Sequence, residues 1–182
     1  KNYKTLISGN GPVFGFKPSS YRSEAFGVLA VVTILKNLVQ YYGEIEEVKI
    51  KHWMDNKGVI NQLDYLLPHQ QPNPNDSFSS EWDVLAEIKS NVKLINATID
   101  IEHVKSHQDE DEKITKLSPE AKLNIACDEL ATEYLQNEAV VFYESPLFNT
   151  TGCNLYINNV VITSKMKQKV RIAASLPELK VY

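Results

Sequence analysis

The chain has 182 residues, 43% hydrophobic and 23% charged, with a net charge of −4 and a pI near 5.6. That length fits one domain with an appendage and can bury a core. The acidic balance excludes a protein that holds nucleic acid by bulk positive charge, though not one with a local basic face. The two cysteines, Cys127 and Cys153, are too few for a disulfide framework and point to a reducing, intracellular setting. No run approaches the roughly 18 apolar residues of a membrane span, and Lys1-Asn2-Tyr3-Lys4 is not a signal peptide, so no membrane partner is expected.

Tyr3 to Phe16 reads as extended structure with a turn at Gly9-Asn10-Gly11-Pro12. Pro18-Ser19-Ser20 offers a helix cap, and Ala25, Val28, Leu29, Val32, Leu35 and Val39 recur at helical spacing up to about Tyr41, where Gly43 follows. Glu44 to Met54 reads as a strand with Val48, Ile50, His52 and Met54 on one side. A short helix is predicted from Lys57 to Leu67. Pro68 to Ser80, rich in Pro, Gln, Asn and Ser, reads as a loop, and Ser80 as the cap of a helix reaching Leu94. Ala97 to His107 reads as a strand and Gln108 to Lys116 as an acidic loop. Ser118-Pro119-Glu120 starts a helix that runs to about Asn137. This alternation predicts an α/β fold with a parallel element over residues 1–144. Residues 145–182 read as a C-terminal extension or linker to a further domain, with a hairpin at Cys153–Thr163 turning on Asn158-Asn159 and a basic helix from Ser164 to Ala174.

Three carboxylates stand where chemistry could use them. Asp55 ends a strand and precedes a helix, a point where ligands gather in parallel sheets; an Asp cap with Asn56 is the competing reading. Glu24 continues an apolar stripe one turn into its helix, although a first-turn acid also suits the helix dipole. Asp128 lies mid-helix between the small residues Cys127 and Ala131, where an exposed helical Asp is the alternative. Hydrolysis of a phosphodiester by two metals needs carboxylates converging from several elements, and magnesium prefers such oxygen ligands. His107 opens the acidic loop and could move a proton; His52 and His103 read as strand-packing residues. The chain has no zinc-spaced Cys/His cluster, no Gly-rich phosphate loop and no nucleophile elbow.

Ser19-Ser20-Tyr21-Arg22-Ser23-Glu24-Ala25, Asp55-Asn56-Lys57, Val104-Lys105-Ser106-His107-Gln108-Asp109 and Leu123-Asn124-Ile125-Ala126-Cys127-Asp128-Glu129-Leu130-Ala131 follow one another in an order that resembles the ribonuclease H domain of retroelement polyproteins. The resemblance covers roughly Thr5 to Asn137. It implies a mixed five-stranded sheet flanked by helices and an endonuclease that cuts the RNA strand of RNA–DNA hybrids with Mg2+ or Mn2+, next to a reverse transcriptase domain of the same polyprotein. It implies that Glu24, Asp55 and Asp128 are metal-site carboxylates, that His107 is the loop histidine, and that Ser20 and Asn56 contact the nucleic-acid backbone. The chain departs from the family pattern at one point: no Asp or Glu precedes Glu24, and Thr5 to Pro12 resembles the family's third strand. The family's first two strands, with its first catalytic Asp, are therefore expected upstream or lost. The alternative expectation is an inactive nucleic-acid-binding or scaffold module of the same fold. An exonuclease or integrase of that broad fold fits the Asn-x-x-x-Asp spacing of Asn124 and Asp128 less well.

Overall fold

A computed structural model describes residues 7–15, 18–43, 48–69, 71, 73, 75–110, 113–137, 148 and 154–175. These residues form a mixed α/β structure. In chain order it runs through α1 (Ser20–Tyr42), β1 (Val48–Met54), α2 (Lys57–Leu66), α3 (Trp82–Leu94), β2 (Ala97–His103), α4 (Pro119–Asn137), β3 (Tyr156–Ile157), β4 (Val160–Val161) and α5 (Met166–Ser175), with single 3₁₀ turns at Asp76–Phe78 and Ile114–Lys116. The boundary at residues 144 and 145, Cys153 and the predicted strand start at residues 44–47 lie outside the described residues.

β1 and β2 pair in parallel, Val48 against Ala97 through Met54 against His103, and the Val104 amide extends the ladder by donating to the Met54 carbonyl at 2.9 Å. Period-2 alternation sends Ile50, Met54, Ile99 and Ile101 to the core and Lys49, Lys51, Asp100 and Glu102 outward. Among the described residues the parallel sheet has these two strands only. Residues 7–15 join no ladder, contrary to the expectation of a strand there. Glycines at 9 and 11 and Pro12 disfavour a strand, and Asn10 instead donates its side-chain amide to the Leu130 carbonyl at 3.0 Å.

The core is built on the apolar stripe of α1. Ala25, Val28, Leu29 and Val32 pack with Val59 and Leu63 of α2 and Val84, Leu85 and Ile88 of α3. By length and composition alone, α1 could cross a membrane, which the sequence reading had not anticipated; its stripe faces α3. A smaller cluster of Val104, Leu117, Ala121 and Ile125 receives Trp53 and seats α4 against the far side of β1.

Caps decide the helix starts. Ser19 Oγ accepts from the Arg22 amide at 3.2 Å and Ser118 Oγ from the Ala121 amide at 3.2 Å. Ser80 does not cap α3. Glu81 stands there in a left-handed conformation, φ 56°, because tertiary contacts hold it: its amide donates to the Thr163 carbonyl at 2.6 Å, and its carboxylate accepts from Arg22 at 2.6 Å. The β3–β4 hairpin forms as expected, with positive φ at Asn158 and Asn159. The Glu81–Thr163 bond and the buried Ile162 dock it on the domain.

Candidate functional site: three carboxylates at one end of the sheet

Asp55 and His107 both follow the carboxyl ends of parallel strands, Asp55 directly after β1 and His107 four residues after β2. Asn56, not Asp55, caps α2: its Oδ1 accepts from the Gly58 amide at 3.0 Å and the Val59 amide at 3.3 Å. The Asp55 carboxylate is thereby left out of the cap. The first turn of α1 reaches this point through Tyr21. A Cβ added to Gly58 would lie 3.2 Å from Asn56 Oδ1 and 3.3 Å from the Tyr21 ring, so the bare glycine is what lets α1 and α2 approach. Glu24, one turn beyond Tyr21, is half-buried. Asp128 follows Ile125 by three residues on α4, on the turn next to the packed cluster.

The electrostatics couple these three groups, since Asp55 and Asp128 both act on Glu24. The Glu24 carboxyl is pushed up to about 7, first by burial and then by the charges of Asp55 and Asp128. Asp128 is also raised, by partial burial and by Asp55 and Asp109, with His107 acting in the opposite direction. The Cys127 thiol is held up by burial, Asp128 and Glu24. His107 sits exposed at φ 51°, a backbone conformation uncommon for a residue with a Cβ, with Nδ1 4.0 Å from a Glu110 carboxylate oxygen. With Asp128 it lines an acidic depression of about 390 Å³ that also takes in Asp109, Glu129 and Glu133. One turn before Asp128, the side-chain amide nitrogen of Asn124 is buried without a hydrogen-bond partner. Such a group costs about 1–3 kcal/mol until a partner satisfies it.

The three carboxylates are oxygen donors of the kind that Mg2+ or Mn2+ takes, and their mutual repulsion calls for a counter-charge. Among the described residues, no three of His, Cys, Asp and Glu stand close enough together to grip one ion as the side chains lie. Ser20 opens α1 and is exposed, free of the capping role that Ser19 fills, whereas Asn56 has its side-chain oxygen committed to the cap. Of the two strand histidines, His52 is a packing residue, with a ring pKa lowered by burial, while His103, expected to pack as well, is exposed at the end of the ladder, past the core-facing Ile99 and Ile101.

Arg22 is the residue the sequence reading missed. It is 1% exposed. Its two terminal nitrogens donate to Asp83 at 3.0 and 2.7 Å, one of them also to Glu81 at 2.6 Å, and Nε donates to the Phe14 carbonyl at 2.5 Å. The signal was present in the stripe Arg22, Ala25, Leu29, Val32, which puts an arginine on a core face where only a paired charge is tolerated. This network fixes the first turn of α1 on α3, and so fixes where Glu24 stands. Comparison with protein-family models, curated proteins and solved structures gives no match.

Proposed function

We propose that this chain is a ribonuclease H-like, metal-dependent endonuclease domain acting on the RNA strand of RNA–DNA hybrids, working inside the cell alongside a reverse transcriptase domain. The observation that carries this reading is the Glu24 carboxyl, raised to about 7 by burial and by Asp55 and Asp128, which come from two other elements. Carboxylates that hold protons on one another are an arrangement that a bound cation would relieve. Glu24, Asp55 and Asp128 would hold Mg2+ or Mn2+, which supplies Lewis-acid charge neutralisation and an acidified water for attack on phosphorus. Glu24, whose carboxyl is pushed up to about 7, would hold the ion in its deprotonated form. His107, across from Asp128, can pass a proton to the departing sugar oxygen. Ser20 and the free amide group of Asn56 face the backbone of the hybrid.

The test is cleavage of a labelled RNA–DNA hybrid in Mg2+ or Mn2+. Cleavage abolished by Asp55→Asn and by Asp128→Asn supports the nuclease; cleavage that survives both sinks it. A second reading, a nucleic-acid-binding or scaffold module without activity, is favoured by one observation: no three candidate ligands close on one ion among the described residues. Hybrid binding without cleavage, unaffected by added metal, is its expected signature.

A further inference from the structure

The segment at residues 164–175 is purely basic in a chain that is acidic as a whole. Residues 164–175 contain Lys165, Lys167, Lys169 and Arg171 and no Asp or Glu, in a chain whose net charge is −4. Lys165, Lys167 and Arg171 are exposed and Lys169 is half-buried; none of the four pairs with a described carboxylate. Within α5, Lys167 and Arg171 are like charges four residues apart, which destabilises an isolated helix; Lys165 stands just before the helix at φ 52°. α5 has no buried residue, and Val170 and Ile172 are 45% and 53% exposed. A helix of this kind, held on the domain yet contributing little core, needs an external reason for its three cations and for Lys165 just before it.

Its position supplies one. Ser164 and Lys169 line a cavity of about 240 Å³ together with Pro18, Ser19 and Arg22. The Thr163 carbonyl, just before the helix, is held by the Glu81 amide. The start of α1 thus lies between this cavity, on the side of Arg22, and Glu24, two residues on and on the other side of the helix.

Resting on the nuclease reading above, we propose that α5 is the phosphate-contacting arm of the substrate interface, and that an RNA–DNA duplex lies across the first turn of α1 between α5 and the three carboxylates. A chain this acidic must gather its cations locally to hold a polyanion. A lipid surface is a poorer occupant, since the apolar stripe of α5 is short, Met166, Val170 and Ala173, and holds no Trp, Phe or Leu anchor.

The test uses the full chain with a fluorescent RNA–DNA hybrid, in chelator so that no cleavage intervenes, and measures affinity by anisotropy across a salt series. Replacing all four cations (K165Q, K167Q, K169Q and R171Q) is expected to weaken binding and to flatten the plot of log affinity against log salt by about 3, the counterion release of roughly four phosphate contacts. The conservative set K165R, K167R and K169R keeps the parent slope. K167Q and R171Q made singly each remove about one unit, which keeps the proposal testable should the quadruple variant unfold. A salt slope unchanged by charge removal overturns it, as does loss of binding to phosphatidylserine vesicles with hybrid binding intact. Hybrid binding that depends on α5 without metal-dependent cleavage upholds the arm and rejects the nuclease. Cleavage with an unaltered salt slope does the reverse.

Discussion

Asp55, directly after β1, acts on Glu24 of α1: burial first, and then the Asp55 charge, push the Glu24 carboxyl up to about 7. Neutralising either neighbour removes part of the cause. Asp55→Asn is expected to move the Glu24 carboxyl down toward its ordinary range, and Asp128→Asn to move it less, following the order of the two charges. Carboxyl-carbon NMR titration reads both; a Glu24 that titrates the same in all three proteins would falsify this coupling.

The same proton makes stability depend on pH. The folded-state value near 7 lies above the ordinary 4.5, so the folded chain binds this proton more tightly than the unfolded chain. Its contribution is fully present below about pH 4.5 and is lost as pH rises through 7. In metal-free buffer Glu24→Gln is therefore expected to match the parent at pH 4 and to exceed it by about 1–2 kcal/mol at pH 8, after allowing for solvent screening of a half-buried group. Urea denaturation at the two pH values checks the sign.

Metal binding should release the same proton. At pH 6, where Glu24 is largely protonated, titration with Mn2+ or Mg2+ is expected to liberate close to one proton per chain, and at pH 8.5 almost none. Calorimetry in two buffers of different ionisation enthalpy measures the number; a release that does not vary with pH would separate Glu24 from the cation.

Arg22 tests the scaffold. Arg22→Met removes the guanidinium that neutralises the buried carboxylates of Glu81 and Asp83 and is expected to cost about 3–5 kcal/mol. Adding Glu81→Gln and Asp83→Leu to that change should recover much of the loss. Thermal and urea unfolding of the single and triple variants decide it: a triple variant as unstable as the single one would show that packing, not the orphaned charge, sets the cost.

Asn56 and Asp55 are neighbours with separable roles. Asn56→Ala removes the cap of α2 and is expected to cost about 1 kcal/mol. Asp55→Ala removes a repelling charge from a site without a cap role and should leave unfolding stability unchanged or slightly raised at pH 8. Equal losses from both would return Asp55 to the capping role.

Much of the architecture was legible because periodicity and capping chemistry act locally. The stripe of α1, the Ser118-Pro119 start of α4 and the Asn158-Asn159 turn stand where their residues put them. The start of α3 was misjudged because Glu81, a residue with no capping preference, is held left-handed by Arg22 and Thr163, both distant in sequence. The strand expected over residues 5–12 does not pair among the described residues, since extended composition carries no information about whether a partner strand is at hand. Glu24, Asp55 and Asp128 were each ambiguous alone; their mutual repulsion is a property of three elements brought together and has no local signature.

Glu81 has one further consequence. Its peptide nitrogen holds the C-terminal hairpin through Thr163, and its carboxylate holds the first turn of α1 through Arg22. A single residue thus joins the tail to the helix that carries Glu24. Shortening the chain before Thr163 would not trim a passive appendage: it would strip a restraint from the residue on which Arg22, and behind it the position of Glu24, depends.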